Sequence, residues 1–245
     1  MGALVDRAVE LGMPALALTD HGNLHGAYHF YETARANGIR PLIGCEAYVA
    51  FGDHRSKEKP PDAPQDHAHL VLLARDRQGY RNLVKLVSIG HLEGFYRRPR
   101  IDHQVLAEHS SGLIALSACM SGELALHLLA NRYDRAKAAA EWHARLFGEG
   151  YYWLELQDHG IPGEEVVRSG IYQLAEELGL PLVATNDAHY LNREDAEAHD
   201  ILLCIGTGKD RDDPKRLRLY GQESYFKSAE EMAVAFPDRP ELLAN

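Results

Sequence analysis

The sequence predicts an α/β fold built on a largely parallel sheet, and three observations carry that prediction. Its 245 residues are 45% hydrophobic and 25% charged, which is typical of a globular protein that buries a substantial core. Six short apolar runs recur along the chain, and amphipathic helical patterns lie between most of them. A glycine followed within three residues by a proline marks three passages from helix to strand, at Gly12, Gly38 and Gly179.

The predicted strands are short, rich in Val, Ile and Leu, and bounded by turn residues. They cover residues 14–19, 41–49, 69–74, 112–118, 151–157 and 181–186. Amphipathic patterns predict helices over 24–37, 80–90, 122–147 and 164–178, and prolines among charges make 52–66 a loop. Strands that alternate with helices are joined by right-handed crossovers, so we expect neighbouring strands to run parallel.

The two ends of the chain depart from this alternation. Residues 4–11 form a helical face with neither a capping residue nor a preceding strand, so we expect another segment before it. From about residue 206 the alternation is lost. We therefore predict a barrel-like domain over 1–205 and an extension over 206–245 that wraps the barrel or leads into a further domain.

Charge and cysteine content exclude several classes of protein. The net charge of -10 argues against a stand-alone binder of duplex DNA, which needs a basic surface. Cys45, Cys119 and Cys204 are odd in number and widely spaced, which favours a reducing cytoplasm over a disulfide framework. No leader sequence and no apolar run near ~20 residues is found, so no membrane association is expected.

Side chains that bind metals occur where the apolar runs end. His21 follows the first run, Glu46 lies near the end of the second, and Cys119 follows the fourth. Asp187 and His189 close the sixth run at a spacing of two, which puts alternate residues on one side. Because the carboxyl ends of parallel strands meet at one edge of a sheet, these side chains should converge. Mixed His, Asp, Glu and Cys ligands indicate a transition-metal site.

Several of these residues have a second interpretation. His69 begins its run instead of ending it, and His67 would share its face, so the residues alone do not choose between them. A cysteine such as Cys119, taken alone, is more often a small buried hydrophobic residue than a metal ligand. Asp20 and Asn23 are also suitable caps for the helix that follows. The histidines on helical patterns are predicted to lie at the surface; they include His91, His127 and His143.

A basic stretch is the main candidate for a nucleic-acid contact. It places Arg97, Arg98 and Arg100 beside Phe95 and Tyr96, a combination that could contact a phosphate backbone and stack on bases. A solvated surface turn explains the same residues. Neither a G-x-S-x-G nucleophile motif nor a G-x-x-x-x-G-K phosphate loop is found, so these two chemistries are disfavoured.

Seven strings, in order along almost the whole chain, carry a family resemblance: ALTDHGN, GCEAYVA, HLVLLA, EGFYRRPRID, LSACMSGE, ELQDHG and TNDAHY. They resemble the PHP domain of bacterial DNA polymerase III alpha subunits. The resemblance implies a distorted (β/α)7 barrel of the PHP type. The family's first motif, H-x-H on the first strand, is absent here, so we expect a barrel lacking its first strand in an N-terminally truncated fragment.

The resemblance also implies site residues and cofactors. The metal ligands that it assigns by motif are His21, Glu46, His69, Cys119, Asp187 and His189. It favours His69 over His67 and makes Asp20 the residue that orients His21. The implied cofactors are divalent metal ions; zinc is favoured, and manganese or iron also suits such mixed ligands. No catalytic group is expected beyond water activated by the metals.

The implied function is in DNA replication. We expect metal-dependent hydrolysis of phosphodiesters, as a 3'-5' exonuclease that proofreads within a DNA-directed DNA polymerase. The expected partners are DNA, reached through the full-length polymerase, and other subunits of the replicase. The polymerase active site of the family lies outside this domain. The alternatives are a non-catalytic module that stabilises the polymerase and docks a partner, and a free-standing PHP phosphatase.

Overall fold

A computed structural model describes residues 1–219, 221–237 and 239–244, and a sheet of eight strands organises them. The strands are β1 Ala15–Leu18, β2 Arg40–Ala50, β3 His67–Ala74, β4 Phe95–Tyr96, β5 Arg98–Asp102, β6 Leu113–Leu116, β7 Tyr152–Leu156 and β8 Leu182–Ala184. Six of them fall on the predicted apolar runs, which confirms the α/β prediction. The hairpin of β4 and β5 was not predicted because its residues are too polar and too few to form an apolar run.

Helices connect most of the strands. They are α1 Gly2–Glu10, α2 Ala27–Ala36, α3 Arg77–Leu92, α4 His103–Glu108, α5 Glu123–Leu129, α6 Tyr133–Phe147, α7 Glu164–Leu178, α8 Ala196–Thr207 and α9 Ala229–Ala235, with short 3-10 turns at Arg193–Asp195 and Pro240–Leu243. The single helix predicted over 122–147 is two helices, because Asn131 adopts a positive φ of 55° between them. Among the described helices, none has the length and apolar character required to cross a membrane.

The sheet is mixed, so the prediction of a parallel sheet is only partly correct. Neighbouring strands follow the order β4-β5-β2-β3-β6-β7-β8, and β1 pairs with the first half of β2. The pairs β1–β2, β2–β5, β6–β7 and β7–β8 are parallel. Strand β3 runs antiparallel to both of its neighbours, β2 and β6. The loop over residues 51–66 is long enough to return the chain, so no crossover helix separates β2 from β3.

Two apolar clusters stabilise the fold. The larger one joins the sheet to α3, α5, α6 and α7, and the smaller one packs α1 and α2 on β1. Phe236 and Leu242, from the C-terminal segment, are 4% and 1% exposed within the larger cluster. The predicted boundary near residue 205 falls inside α8, and part of the C-terminal segment beyond α8 packs against the sheet domain. The division into a barrel over 1–205 and an extension over 206–245 stays a prediction.

The loop between β2 and β3 is fastened to β5 by a buried histidine and a buried arginine. The Nδ1 atom of His54 lies 2.6 Å from a carboxylate oxygen of Asp102. Arg100 is 4% exposed and donates hydrogen bonds to the carbonyl oxygens of His54 and Ser56. Arg100 therefore anchors a loop, and the predicted nucleic-acid contact does not extend to it, because its guanidinium is enclosed by protein.

Two histidines predicted at the surface are buried. His127 and His143 are 8% and 2% exposed, so that prediction is wrong for both. Each lies on the inner side of its helix, where the helical pattern does not distinguish an imidazole that packs against apolar residues from one in solvent. His91 is exposed, as predicted, although its Nε2 donates a hydrogen bond of 3.0 Å to the carbonyl oxygen of Gly22.

Candidate metal centre

Four different strands deliver four of the six candidate ligands to one edge of the sheet. His21 follows β1, Glu46 lies within β2, and Cys119 follows β6. His69 is near the beginning of β3, and because β3 runs antiparallel to β2 and β6, its beginning lies where theirs end. His69 therefore lies at the same edge as the other candidate ligands, although it is near the beginning of its strand.

Glu46 lies at the centre of the cluster. One of its carboxylate oxygens, Oε1, is 2.6 Å from Nδ1 of His69, and the other, Oε2, is 3.5 Å from Nδ1 of His21. The Sγ atom of Cys119 is 3.7 Å from Glu46 Oε1 and 3.8 Å from Nδ1 of His69. Ligand atoms of the two histidines and Glu46 lie within 4.8 Å of one another. This spacing is suitable for shared coordination of a cation.

Asp187 and His189 complete the rim from the loop after β8. Their side chains are joined by a contact of 3.3 Å between His189 Nε2 and Asp187 Oδ1. The ring of His189 lies 6.0 Å from that of His21. Asp187 has a positive φ of 44°, a backbone conformation that few non-glycine residues adopt. The structure thus brings all six candidate ligands to one rim.

The electrostatics of the cluster follow from burial and from its own charges. Burial lowers the pKa of His21, and this effect exceeds the opposite effect of Glu46. Burial also raises the pKa of the Cys119 thiol, and the nearby Glu46 and Asp187 raise it further. For Asp187, burial favours a higher pKa, but the hydrogen bond with His189 and the neighbouring histidines hold the pKa below its usual value.

His67 does not reach the cluster in the way that His69 does. Its ring stacks on that of His69 with centroids 6.1 Å apart, whereas the Nδ1 atom of His69 contacts Glu46 directly. Burial and the adjacent His69 lower the pKa of His67 to about 4, so its imidazole is neutral at neutral pH. Of the two candidates, His69 is the one in contact with the carboxylate.

Asp20 was predicted to orient His21, and in the structure it is the backbone of Asp20, not its carboxylate, that contributes. Within the described ranges, no hydrogen bond joins its carboxylate to the ring of His21. Instead, its backbone carbonyl oxygen accepts a hydrogen bond of 3.2 Å from the amide of Glu46. The amide of Gly22 in turn donates to the carbonyl oxygen of Glu46 at 2.9 Å. The backbone of residues 20–22 therefore sets the position of His21 against Glu46.

The loop that carries Asp187 and His189 is held by residues that the sequence analysis did not select. Lys227 is 6% exposed, and its ammonium donates to Asn186 Oδ1 at 2.8 Å. His159, which is also buried, donates from Nε2 to the carbonyl oxygen of Asn186 at 2.9 Å. The amide of His189 donates to the carbonyl oxygen of Ser224. The C-terminal segment thus positions two of the six candidate ligands.

Glu155 is a further acidic group in this region that sequence reasoning missed. It is the fourth of the five residues of β7, is 7% exposed, and lines the same cavity as Cys119 and Asp187. Its Oε1 accepts a hydrogen bond of 2.5 Å from Thr185, while its Oε2 has no partner among the described residues. Burial and nearby carboxylates raise its pKa to about 7. The signal was available, because a charged residue inside an apolar run requires an explanation.

The residues fit a divalent transition metal. Nitrogen, oxygen and sulfur donors converge, and they belong to the set that binds zinc, manganese or iron in proteins. The cavity at the rim has a volume of about 520 Å³, which is in the range of small-molecule sites. A carboxylate enclosed by imidazoles and a thiol is an arrangement that a bound cation would stabilise.

A second group of possible ligands lies behind this rim. Nε2 of His103 and Nε2 of His143 are 3.0 and 3.1 Å from the same oxygen, Oε2, of Glu123. The other ring nitrogen of His143, Nδ1, is buried without a partner among the described residues. A histidine bound to metal normally donates from that nitrogen, so this group fits a hydrogen-bonded network better than a second metal site.

Comparison with known proteins agrees with this geometry. The PHP domain family matches residues 1–159 of the chain. DNA polymerase III subunit alpha of Borreliella burgdorferi is 48% identical over 99% of the chain, and that of Treponema pallidum is 47% identical over 99%. The same subunit of Thermus aquaticus is 45% identical over 92%. The chain spans 21%, 21% and 18% of the length of these three relatives.

Two solved structures are also similar. One, from Bifidobacterium adolescentis, is described as a metal-dependent phosphoesterase; it is 14% identical, with a TM-score of 0.44, over 96% of this chain and 90% of the other. The other is an amidohydrolase from Chromobacterium violaceum, 14% identical, with a TM-score of 0.39, over 77% of this chain and 82% of the other.

Proposed function

The chain belongs to the PHP domain family, and from that premise we propose that it forms the metal-dependent phosphodiester hydrolase site of a DNA polymerase III alpha subunit. In the full-length enzyme the site would remove nucleotides from the 3' end of DNA, as a 3'-5' exonuclease that proofreads synthesis. One observation carries the proposal: six side chains with metal-binding chemistry, from distant parts of the sequence, meet at one rim beside an open cavity.

The ligands in this proposal are the six side chains at the rim. They are His21, Glu46, His69, Cys119, Asp187 and His189. Divalent cations in such a site supply a nucleophile from water at neutral pH and stabilise negative charge on phosphate oxygens. The chain itself orients the ligands, through the backbone of residues 20–22 and through Lys227 and His159 behind Asn186.

A metal analysis combined with a cleavage assay tests the proposal. The purified chain is dialysed separately against zinc, manganese and iron(II), and its metal content is measured by mass spectrometry. The same samples are incubated with single-stranded DNA that ends in a 3' hydroxyl and, separately, with a phosphomonoester. We expect bound metal and release of mononucleotides from DNA. A chain that binds no metal, or that hydrolyses only the monoester, would contradict the proposal.

A second function, docking of another replicase subunit, is supported by the exposed face of α8. Ile201, Leu202 and Ile205 are 44%, 63% and 72% exposed, which is unusual for three large apolar residues on one short helix. Binding of the chain to a purified proofreading subunit tests this function. Loss of binding in the double variant Leu202→Glu, Ile205→Glu would support docking through α8, and unchanged binding would exclude that face.

A further inference from the structure

The hairpin of β4 and β5 carries two cations without acidic partners next to the metal centre. Arg97 and Arg98 are exposed, and within the described part of the chain neither forms an ion pair. Many other arginines do, as Arg55 does with Glu93 and Arg145 with Glu141. In a chain of net charge -10, a pair of free guanidinium groups creates a local site for an anion.

Arg98 is close to the candidate ligands. Its guanidinium carbon lies 5.8 Å from the centre of the Tyr48 ring, and that ring is 5.9 Å from the ring of His21 and 5.1 Å from that of His69. Gly22, next to His21, packs so tightly on the hairpin that an added Cβ would lie 2.7 Å from Pro99. The hairpin and the loop of His21 therefore form one continuous surface.

An exposed aromatic ring also lies close to this loop. Phe95 is 60% exposed and stacks on His91, with ring centroids 6.1 Å apart and planes 27° apart. His91 in turn donates its hydrogen bond to the carbonyl oxygen of Gly22, and the ring of His25 lies 6.3 Å from it. Cations and exposed rings thus both lie close to the loop that carries His21.

The backbone of the hairpin is strained at Arg97. Arg97 has a φ of 62°, a left-handed conformation that is unfavourable for an arginine. Its guanidinium lies 5.1 Å from the ring centre of Tyr96, within the range of a cation–π contact. Strained backbone of this kind also occurs at ligand-binding sites.

We propose that this surface, defined by Phe95, His91, Arg97 and Arg98, binds single-stranded DNA and leads its 3' end to the metal centre. Arg98 would bind a phosphate next to the one that is cleaved, and Phe95 would stack on an unpaired base. Two cations are too few for a duplex, which presents phosphates on both strands, whereas stacking on Phe95 requires a base that is not paired. The inference rests on the proposed function for its choice of substrate.

Binding is measured by fluorescence anisotropy with a labelled single-stranded oligonucleotide, in EDTA so that no cleavage takes place. Phe95→Ala should weaken binding by about tenfold, because stacking of one base is lost. Arg98→Gln should weaken binding and reduce the slope of log K against log salt by about 0.7, the value for one phosphate contact on a single strand. A duplex of the same sequence should bind more weakly than the single strand.

Matched variants control for unspecific effects. Arg145→Gln removes an exposed arginine on α6, and Tyr80→Ala removes an exposed ring at the start of α3, about 16 Å along the helix from His91. Both should bind the oligonucleotide as the unchanged chain does. Equal affinity in all four variants, or absence of binding by the unchanged chain, would overturn the inference.

The two proposals fail separately. If the chain binds single-stranded DNA through Arg98 and Phe95 but releases no nucleotide when metals are added, the proposed hydrolysis is wrong and the binding surface stands. If the chain hydrolyses bis(p-nitrophenyl) phosphate with metals, yet the hairpin variants bind DNA normally, the metal centre stands and the binding surface is wrong.

Discussion

Replacement of Glu123 by Gln should destabilise the protein, and more strongly at pH 6 than at pH 9. Glu123 is the first residue of α5, and both His103 and His143 contact its Oε2 atom, at 3.0 and 3.1 Å. Burial alone would raise the pKa of Glu123, but the hydrogen bonds from the two histidines hold it well below its usual value. The carboxylate is therefore charged throughout the range of pH in which the protein is handled.

The magnitude follows from the two hydrogen bonds. A hydrogen bond to a charged group contributes about 1.5 to 3 kcal/mol, and a neutral one about 0.5 to 1.5 kcal/mol. Glutamine keeps an oxygen acceptor but loses the charge, so each bond weakens by about 1 kcal/mol. Because the Glu123 side chain is only 14% exposed, solvent screens these bonds weakly. We expect a loss of about 2 kcal/mol in the free energy of unfolding at pH 6.

The pH dependence of this loss of stability comes from Glu123 and from His103. The pKa of Glu123 is depressed in the folded state, so its contribution is present above about pH 4.5 and is lost as the pH falls. Burial would lower the pKa of His103, but Glu123 outweighs burial and raises it. The contribution of charged His103 is therefore complete below about pH 6.5 and is lost as the pH rises through the raised pKa. At pH 9 the variant should lose about 1 kcal/mol less than at pH 6.

Urea unfolding at pH 6 and pH 9, followed by circular dichroism, measures the difference. Glu177→Gln is the matched control, since Glu177 is on the surface and its partner Lys137 stays charged at both pH values. That variant should change little and equally at both. If Glu123→Gln lowers the free energy of unfolding equally at pH 6 and pH 9, or by no more than Glu177→Gln does, the prediction is wrong. Glu123 and His103 would then not form a charged pair.

Three further predictions concern the site and the fold. Glu46→Ala should abolish metal-dependent cleavage and lower the bound metal content, while the midpoint of thermal unfolding changes little, because the removed carboxylate serves the site more than the core. Gly79→Ala should lower the free energy of unfolding by about 3 kcal/mol, since its Cβ would lie 1.8 Å from the carbonyl oxygen of Gly112. Ala118→Gly should raise it by about 1 kcal/mol, because Ala118 has a φ of 65°. Urea unfolding checks the last two.

Each of these variants has a matched control. Glu32→Ala removes an exposed carboxylate and should leave cleavage unchanged. Gly206→Ala adds a Cβ with no heavy atom within 4 Å and should not destabilise α8. Ala198→Gly, in the same helix, should destabilise, which is the opposite of Ala118→Gly. Cleavage by Glu46→Ala, full stability of Gly79→Ala, or a loss of stability in Ala118→Gly would each contradict the corresponding prediction.

Strands and the candidate site could be predicted from the sequence because both leave a local pattern. The run at 112–118, for instance, is apolar and ends at Cys119, and the structure places β6 and the rim there. The direction of β3 left no such pattern. A strand buried on both faces has the same composition whether it runs parallel or antiparallel, so His69 was an exception until the pairing of β3 with β2 was known.

Burial of polar residues was the other feature that the sequence did not reveal. Arg100 and Lys227 are as long and as charged as exposed residues. Only their distant partners, the carbonyl oxygen of His54 for Arg100 and Oδ1 of Asn186 for Lys227, show that they are enclosed. His143 was assigned to the surface because a helical pattern tolerates histidine on either side. Glu155 differs from these residues, because its position inside an apolar run is visible in the sequence and marks it as a candidate site residue.

Backbone strain in this chain is concentrated beside the proposed chemistry. Among the described residues, four that are not glycine have a positive φ: Arg97, Ala118, Asn131 and Asp187. Asp187 is itself a candidate ligand, Ala118 precedes one, and Arg97 lies in the hairpin that packs against the loop of His21. Each such conformation costs about 1 to 2 kcal/mol, which stability alone does not explain. Strained backbone is concentrated at functional sites in proteins, so the position of three of these four residues beside the rim supports the proposed metal centre.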